Sequence, residues 1–228
     1  LAAGLKTNET VTQLLPQSAY GFYTLFAAEA VGIVNAVNPM LEADHILAIM
    51  KAANSQILVI PGPDLNSEIW QKAQFLRKNL PSLKAVFVVG NGAGCDGTNF
   101  LSFDQSMGEQ SVEQIDELPD RALDDVVGYY HTGGTTGVPK LVPHTNRMQL
   151  IQLASTGFLI GYSSADIMIA GLPLFHISGS IVGGIVPLSQ GATIVIASPL
   201  GWRDQNLVLN YWKIVEKFKI SILGTVLT

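Results

Sequence analysis

The sequence predicts an α/β fold, doubly wound, built of mainly parallel sheets with helices on both faces. Helix-like and strand-like runs alternate along the chain, which is the order of βαβ units. The strand-like runs are apolar throughout, as strands covered on both faces must be. Composition agrees: of 228 residues, 48% are hydrophobic and only 14% charged, so most elements are buried on more than one side.

Taken in order, Ser18 to Val31 reads as an apolar helix, with Phe22, Leu25, Phe26 and Ala30 on helical spacing. Gly32 to Val37 is a short β-branched run closed by Asn38-Pro39. Glu42 to Ala53 reads as helix, and Gln56 to Ile60 as a continuous apolar strand. Asn66 to Leu80 is an amphipathic helix and Lys84 to Val89 a strand. From Gly90 to Pro119 the pattern lapses into Gly, Ser, Asp and Glu, the composition of a boundary or a long surface excursion. Val126 to His131 is again a strand, Thr145 to Ile160 a helix, Asp166 to Ala170 a strand and Ser178 to Leu188 a helix. Ala192 to Ala197 follows as strand. Arg203 to Phe218 reads as one helix, with Val208, Tyr211, Trp212 and Val215 on one face, and Ile220 to Leu223 as a last strand. The chain thus divides into a first βα portion over 1–90, an irregular excursion over 91–119 and a third portion over 120–228.

Several patterns exclude functions. A formal net charge of −5 argues against a nucleic-acid or anionic-membrane partner. One cysteine, Cys95, allows neither an internal disulfide nor a zinc cluster, and a reducing compartment, the cytoplasm, is the expectation. No pair of His, Cys or carboxylates has metal-ligand spacing. Leu1 to Pro16 lacks the charged start and apolar centre of a secretory signal. The most membrane-like window, Ile177 to Ala197, is interrupted by Gly183, Gly184, Pro187 and Gly191, so it reads as buried helix, turn and strand. Gly179 and Gly183 in that window have GxxxG spacing, read as close helix packing within a core. Gly92-Ala93-Gly94-Cys95-Asp96-Gly97 spells a dinucleotide fingerprint after a strand. The following Thr98 to Asp104 has no helical period, so the fingerprint lacks its helix and is set aside.

The informative stretch is Thr132-Gly133-Gly134-Thr135-Thr136-Gly137-Val138-Pro139-Lys140, between the strand ending at His131 and the helix near Thr145. Glycines let successive N–H groups turn into one concavity, and Thr132, Thr135 and Thr136 add hydroxyl donors. Lys140 adds a cation that suits a phosphate. A Gly-Thr-rich hairpin without a ligand is the alternative. This is not a Walker loop, because Pro139 and Pro143 bias Val138 and Val142 toward extended backbone. A short extended segment is therefore expected after the loop, with the helix delayed to about Thr145.

This stretch resembles the phosphate-loop signature of the adenylate-forming (AMP-binding) superfamily, and the chain looks most like an acyl-CoA synthetase. Gly133 stands where that family usually has Ser or Thr, and Leu141 where it usually has Gly. The opening Leu14-Leu15-Pro16-Gln17-Ser18 and the Asn38-Pro39 strand end are also similar to the family, as are His144-Thr145, although a helix cap accounts for that pair. Leu172-Pro173-Leu174-Phe175-His176-Ile177-Ser178-Gly179 places an imidazole at a strand end, where α/β sheets bind ligands. From the residues alone, His176 is either a site residue or a core histidine. The stretch resembles the family's Pro-Leu-Phe-His segment, which lines the acyl pocket.

The resemblance implies ATP-dependent activation of a carboxylic acid through an acyl-adenylate, followed by thioester formation with coenzyme A, with ATP, Mg²⁺ and CoA as participants. Adenylation for a carrier protein or for oxidation, or a non-catalytic nucleotide-binding module, are the rival readings. It further implies that Lys140 and His176 are catalytic, and that Thr132, Gly133, Gly134, Thr135, Thr136, Gly137 and Lys140 hold the phosphates. Thr132 would help place Mg²⁺, while Phe175, His176 and Gly179 would bind the acid. The family's Tyr-Gly-x-Thr-Glu segment and its C-terminal lid with a catalytic lysine do not occur in this sequence. The expectation is therefore an N-terminal portion of the large domain that folds without turning over.

Overall fold

The structure, a computed structural model, describes residues 3–111, 118–132 and 140–224. The chain divides into two compact units. Unit 1 comprises Leu1–Leu15 and Tyr23–Thr145; unit 2 comprises Pro16–Phe22 and Asn146–Thr228.

Unit 1 is built on a seven-stranded sheet. Its strands are β1 (Thr10–Gln13), β2 (Ile33–Ala36), β3 (Ser55–Pro61), β4 (Ala85–Val89), β5 (Phe100–Ser102), β6 (Val126–His131) and β7 (Leu141–Thr145). They lie in the order β5-β4-β3-β1-β2-β6-β7. All neighbouring pairs are parallel except β6 with β7. Helix α1 (Ala19–Val31) joins β1 to β2, α2 (Ala43–Ala52) joins β2 to β3, and α3 (Ser67–Asn79) joins β3 to β4.

The residue pattern explains why helices cover both faces. Ile46, Ile49 and Met50 of α2 and Ile69, Ala73 and Leu76 of α3 recur at helical spacing and pack with Leu58, Ile60, Val86 and Val88 into one core. On β4 the intervening Phe87 turns to the other face, its ring 6.4 Å edge-on from Phe103 of the short helix α4 (Phe103–Gly108). Helix α3 starts where the Asn66 side chain accepts from the Ile69 N–H at 2.9 Å, and carries Glu68 in its first turn and Arg77 and Lys78 in its last.

The chain moves from β1 to β2, then crosses back over β1 to β3. Such a reversal places a crevice at the carboxyl ends of the strands. The same edge receives the end of β6, because β6 runs parallel to β2, with Val34 opposite Gly128 and Asn35 opposite Tyr129.

Most predicted elements of unit 1 are present within a residue or two; of four further features, the third agrees with the sequence reading and the other three differ from it. Strand β1 was not predicted. Thr-Val-Thr-Gln lacks an apolar run, yet all four residues are buried at the centre of the sheet. Its two threonines find partners on neighbouring elements, while Gln13 Oε1 is buried without one. Thr12 Oγ1 lies 2.6 Å from Ser55 Oγ and accepts from Asn35 Nδ2 at 2.9 Å, and Thr10 Oγ1 donates to the Ala53 carbonyl at 2.7 Å. Second, the stretch expected to be irregular contains β5, paired in parallel with β4, and α4. Third, residues 92–97 form a loop in which Gly92, Gly94 and Gly97 all have positive φ. The Asp96 side chain accepts from the N–H groups of Thr98, Asn99 and Phe100, so the fingerprint leads into an edge strand and not a helix. Those donors hold the Asp96 carboxyl well below the usual carboxylate range. Fourth, β7 is antiparallel, closing a hairpin with β6.

Unit 2 holds β8 (Ile167–Ile169) and β9 (Thr193–Val195), parallel to each other, with α5 (Asn146–Ile160), a π-helix over Ser178–Ile185, and α6 (Val186–Ser189). The predicted helix Ser178 to Leu188 is thus a widened segment followed by an α-turn. Pro187 accounts for the change, since its ring would clash with the carbonyl of Gly183 in a regular α-helix. The predicted helix Arg203 to Phe218 is three pieces: a 3₁₀ turn over Gly201–Arg203, α7 (Gln205–Leu209) and α8 (Tyr211–Phe218). Asp204 caps α7 by accepting from the Asn206 N–H at 2.9 Å, and Asn210 interrupts the run. The predicted last strand reduces to a single bridge between Met168 and Ile222. Among the described residues, no helix is long and apolar enough to cross a membrane.

The hairpin carries a pH dependence. His144 on β7 packs against the edge of Tyr130 at 5.3 Å, with its Nδ1 buried and unbonded. Burial pushes its pKa below the ordinary 6.5. The unfolded chain then binds the proton more readily, so this contribution to stability is full above pH 6.5 and is lost as pH falls from there through the lowered folded-state value. Melting curves between about pH 8 and about pH 5 should show a steeper loss in the wild type than in His144→Phe. Parallel curves would remove His144 as the cause.

Candidate active site

Two sets of predicted site residues can be followed, one in each unit. In unit 1 the ends of the glycine-rich loop are fixed by the β6–β7 hairpin. His131 pairs with Leu141, and one step further the Thr132 N–H donates to the Lys140 carbonyl at 3.0 Å. That bond closes the base of the loop and leaves the exposed side chains of Thr132 and Lys140 at its two ends. Residues Gly133, Gly134, Thr135, Thr136 and Gly137 lie outside the described residues. As predicted, the loop enters an extended segment, Leu141–Thr145, and the helix starts at Asn146. Pro143 supplies the reason, by excluding helical backbone at Val142.

The sequence reading missed His131. Its Nε2 accepts from the Asn38 N–H at 3.2 Å, tying the root of the loop to the Asn38-Pro39 strand end. The neutral ring therefore carries its proton on Nδ1. The two stretches are separated by 93 positions, so no local pattern joins them.

In unit 2 a cavity of about 440 Å³ opens beside β8 and the π-helix, within the usual range of roughly 300–1,000 Å³ for small-molecule sites. Phe22, Ile160, Met168, Ile169 and Val182 give it apolar walls, and Tyr162 and Ser178 contribute hydroxyls. Burial, with the nearby Asp166 carboxylate, pushes the Tyr162 pKa up, so the phenol keeps its proton. Asp166 itself accepts from Ser163 and Ser221 side chains, which ties the start of β8 to the segment after α8.

Of the predicted acid-binding residues, Gly179 lines this cavity. His176 is exposed, and its Nδ1 lies 2.6 Å from Ser178 Oγ and accepts from the Ser178 N–H at 3.2 Å. The neutral His176 ring thus carries its proton on Nε2, and the imidazole is held through a residue of the cavity wall. Phe175 faces the Arg203 guanidinium, 5.8 Å from the ring centroid. Gly171, another lining residue, was missed by the sequence reading. A Cβ there would collide with the Trp202 indole, which is held by hydrogen bonds from Trp202 N–H to the Gly171 carbonyl and from Nε1–H to the Gly224 carbonyl, both 3.0 Å.

A model of the AMP-binding enzyme family matches residues 1–228, the whole chain. The chain belongs to the AMP-binding enzyme family. It is 29% identical over 233 residues to a marinolic acid–CoA ligase of Pseudoalteromonas sp. (strain SANK 73390), covering 99% of this chain and 35% of that protein. Its fold matches the anthranilate CoA ligase AuaEII in complex with anthranoyl-AMP, with a TM-score of 0.80 at 22% identity, over 97% of this chain and 40% of the other. It also matches ATP-bound MatB from Rhodopseudomonas palustris, with a TM-score of 0.74 at 20% identity, over 97% and 40% of the two chains. The chain spans about a third of the length of the curated relatives it matches.

For an AMP-binding enzyme, the described residues fit Mg²⁺ only as a companion of a triphosphate. Among them no group of three or more His, Cys, Asp or Glu could hold a metal ion. Thr132 offers one neutral hydroxyl at the loop base, a ligand type Mg²⁺ accepts when phosphate oxygens and water fill most of its shell.

Proposed function

We propose that this chain is part of an enzyme that joins a carboxylic acid to coenzyme A through an acyl-adenylate. The acid oxygen attacks the α-phosphorus of ATP and pyrophosphate leaves; the thiol sulfur then attacks the acyl carbon and AMP leaves. The reading is carried by the family match over the whole chain, and relatives named as CoA ligases support it. Charge shifts onto the departing pyrophosphate, so donors fixed in advance do most for the rate. On this reading the backbone of Gly133, Gly134 and Gly137, the hydroxyls of Thr135 and Thr136, and the Lys140 ammonium hold the β- and γ-phosphates. The Thr132 hydroxyl would be a magnesium ligand, and the ion would neutralise phosphate charge when bound. The cavity wall of unit 2, with Gly179 and the neighbouring Phe175 and His176, would receive the acid. A cytoplasmic setting and a place in fatty-acid metabolism belong to the same proposal.

The test is acid-dependent pyrophosphate release by the full-length protein, followed by thioester formation on adding CoA. Release without thioester would point to a different acceptor, and no release with any acid would overturn the proposal. His176→Ala should reorder the preference among short, long and aromatic acids while the melting temperature holds. A fall in melting temperature with the order intact would reduce His176 to a structural residue.

A further inference from the structure

The π-helix carries glycines at 179, 183 and 184; packing demands the first, and the third is crowded on two sides. A Cβ on Gly179 would meet the carbonyls of Pro173 and Leu172. One on Gly184 would come within 3.1 Å of the Phe22 ring and 3.0 Å of the Gly179 carbonyl. Gly183 is different. A Cβ there would meet only one atom, the Ser178 carbonyl at 3.2 Å, which would have to give by a few tenths of an ångström. Its backbone is not among the positive-φ glycines. Glycine inside a helix is less stable than alanine, so conformation does not account for it, and its single tight contact weighs less than the collisions at Gly179. Gly183 does, however, line the cavity, as do Val182, Met168 and Phe22.

The rest of that wall narrows what could enter. Its side chains are hydrocarbon or thioether apart from the hydroxyls of Tyr162 and Ser178, and none is charged. A second carboxylate or a sulfonate at the far end of an acid would lose water there without gaining a counter-charge. An apolar chain would lose nothing by the same transfer.

We propose that Gly183 is a specificity-determining residue: its missing side chain keeps open the volume for an apolar acyl chain, and it sets the length that the cavity admits. This rests on the cavity being the acid site of the enzyme proposed above. A larger residue at 183 fills the space taken by the distal methylenes, and each excluded methylene costs about tenfold or more in kcat/KM.

The experiment compares the full-length wild type with Gly183→Leu and Gly183→Ala, using acetate, hexanoate, decanoate and hexadecanoate, with malonate as the charged probe. Pyrophosphate release gives kcat/KM, and calorimetric titration gives acid affinity. The wild type should favour the longer uncharged acids over malonate. Gly183→Leu should lower the ratio of decanoate to hexanoate by at least about tenfold, chiefly through KM, and Gly183→Ala should lower it by less. Should the leucine variant melt below assay temperature, the alanine variant decides alone by the same ratio. Activity with one ratio in all folded variants, or a wild-type preference for malonate, overturns this inference and leaves the proposed function standing. No release by the wild type with any acid overturns both.

Discussion

Replacing Lys140 by alanine should slow pyrophosphate release at saturating acid and ATP by about tenfold to a hundredfold. The lysine sits at the closing end of a loop whose base is fixed by the Thr132–Lys140 backbone bond, so the substitution removes an ammonium and leaves the frame. One charge-assisted contact is worth about 1.5–3 kcal/mol. If it is made chiefly to charge that develops on the leaving pyrophosphate, that energy appears in the rate and not in acid affinity. Single-turnover pyrophosphate release, with the acid Kd measured alongside, checks both parts. An unchanged rate would falsify the role given to Lys140. A weaker acid Kd at constant rate would place the lysine in acid binding instead.

Gly179→Ala should be far more damaging than Gly183→Ala in the same helix, at about 3 kcal/mol, the upper end for overpacking. The new Cβ would press on the carbonyls of Pro173 and Leu172. These are backbone atoms, set by the turn between β8 and the π-helix, and cannot rotate aside like a side-chain tip. In a unit of this size, a loss of that order lowers the melting temperature by roughly 12–24 °C. Gly183→Ala in the same helix meets one carbonyl at 3.2 Å and should cost far less. Equal melting temperatures for the two variants would show that the turn yields, and that packing does not require Gly179.

The elements read correctly from sequence were those whose burial is written in their own residues. Leu58 and Ile60 on β3, or Ile69, Ala73 and Leu76 on α3, announce strand and helix because the period of apolar residues matches the period of the backbone. Pro143 placed the extended segment after the loop for an equally local reason, steric exclusion of helix at the preceding residue. Strand β1 was illegible because its stability is not local. Thr12 is acceptable at the centre of the sheet only because Ser55 and Asn35 bring partners from two other strands, 43 and 23 positions away. The split of the last helix was legible in principle at Asp204 and Asn210, both residues that compete for backbone hydrogen bonds, but the apolar face across residues 208–215 masked them.

The same division runs through the candidate site. Sequence by itself determined the order of chemistry-bearing residues: a loop of glycines, threonines and a lysine, and a histidine after a strand end. Those are choices of side chain and backbone freedom at neighbouring positions, and they need no fold to be read. Only the tertiary structure decided which distant groups support them. Asn38 reaches His131 because β6 lies parallel beside β2, and Gly171 must be glycine because Trp202 lies on it. It alone decided, too, which of three glycines in one helix are bound by contact and which one leaves open space. A glycine looks the same in every sequence; what its missing Cβ would touch is fixed by atoms that the chain brings from elsewhere.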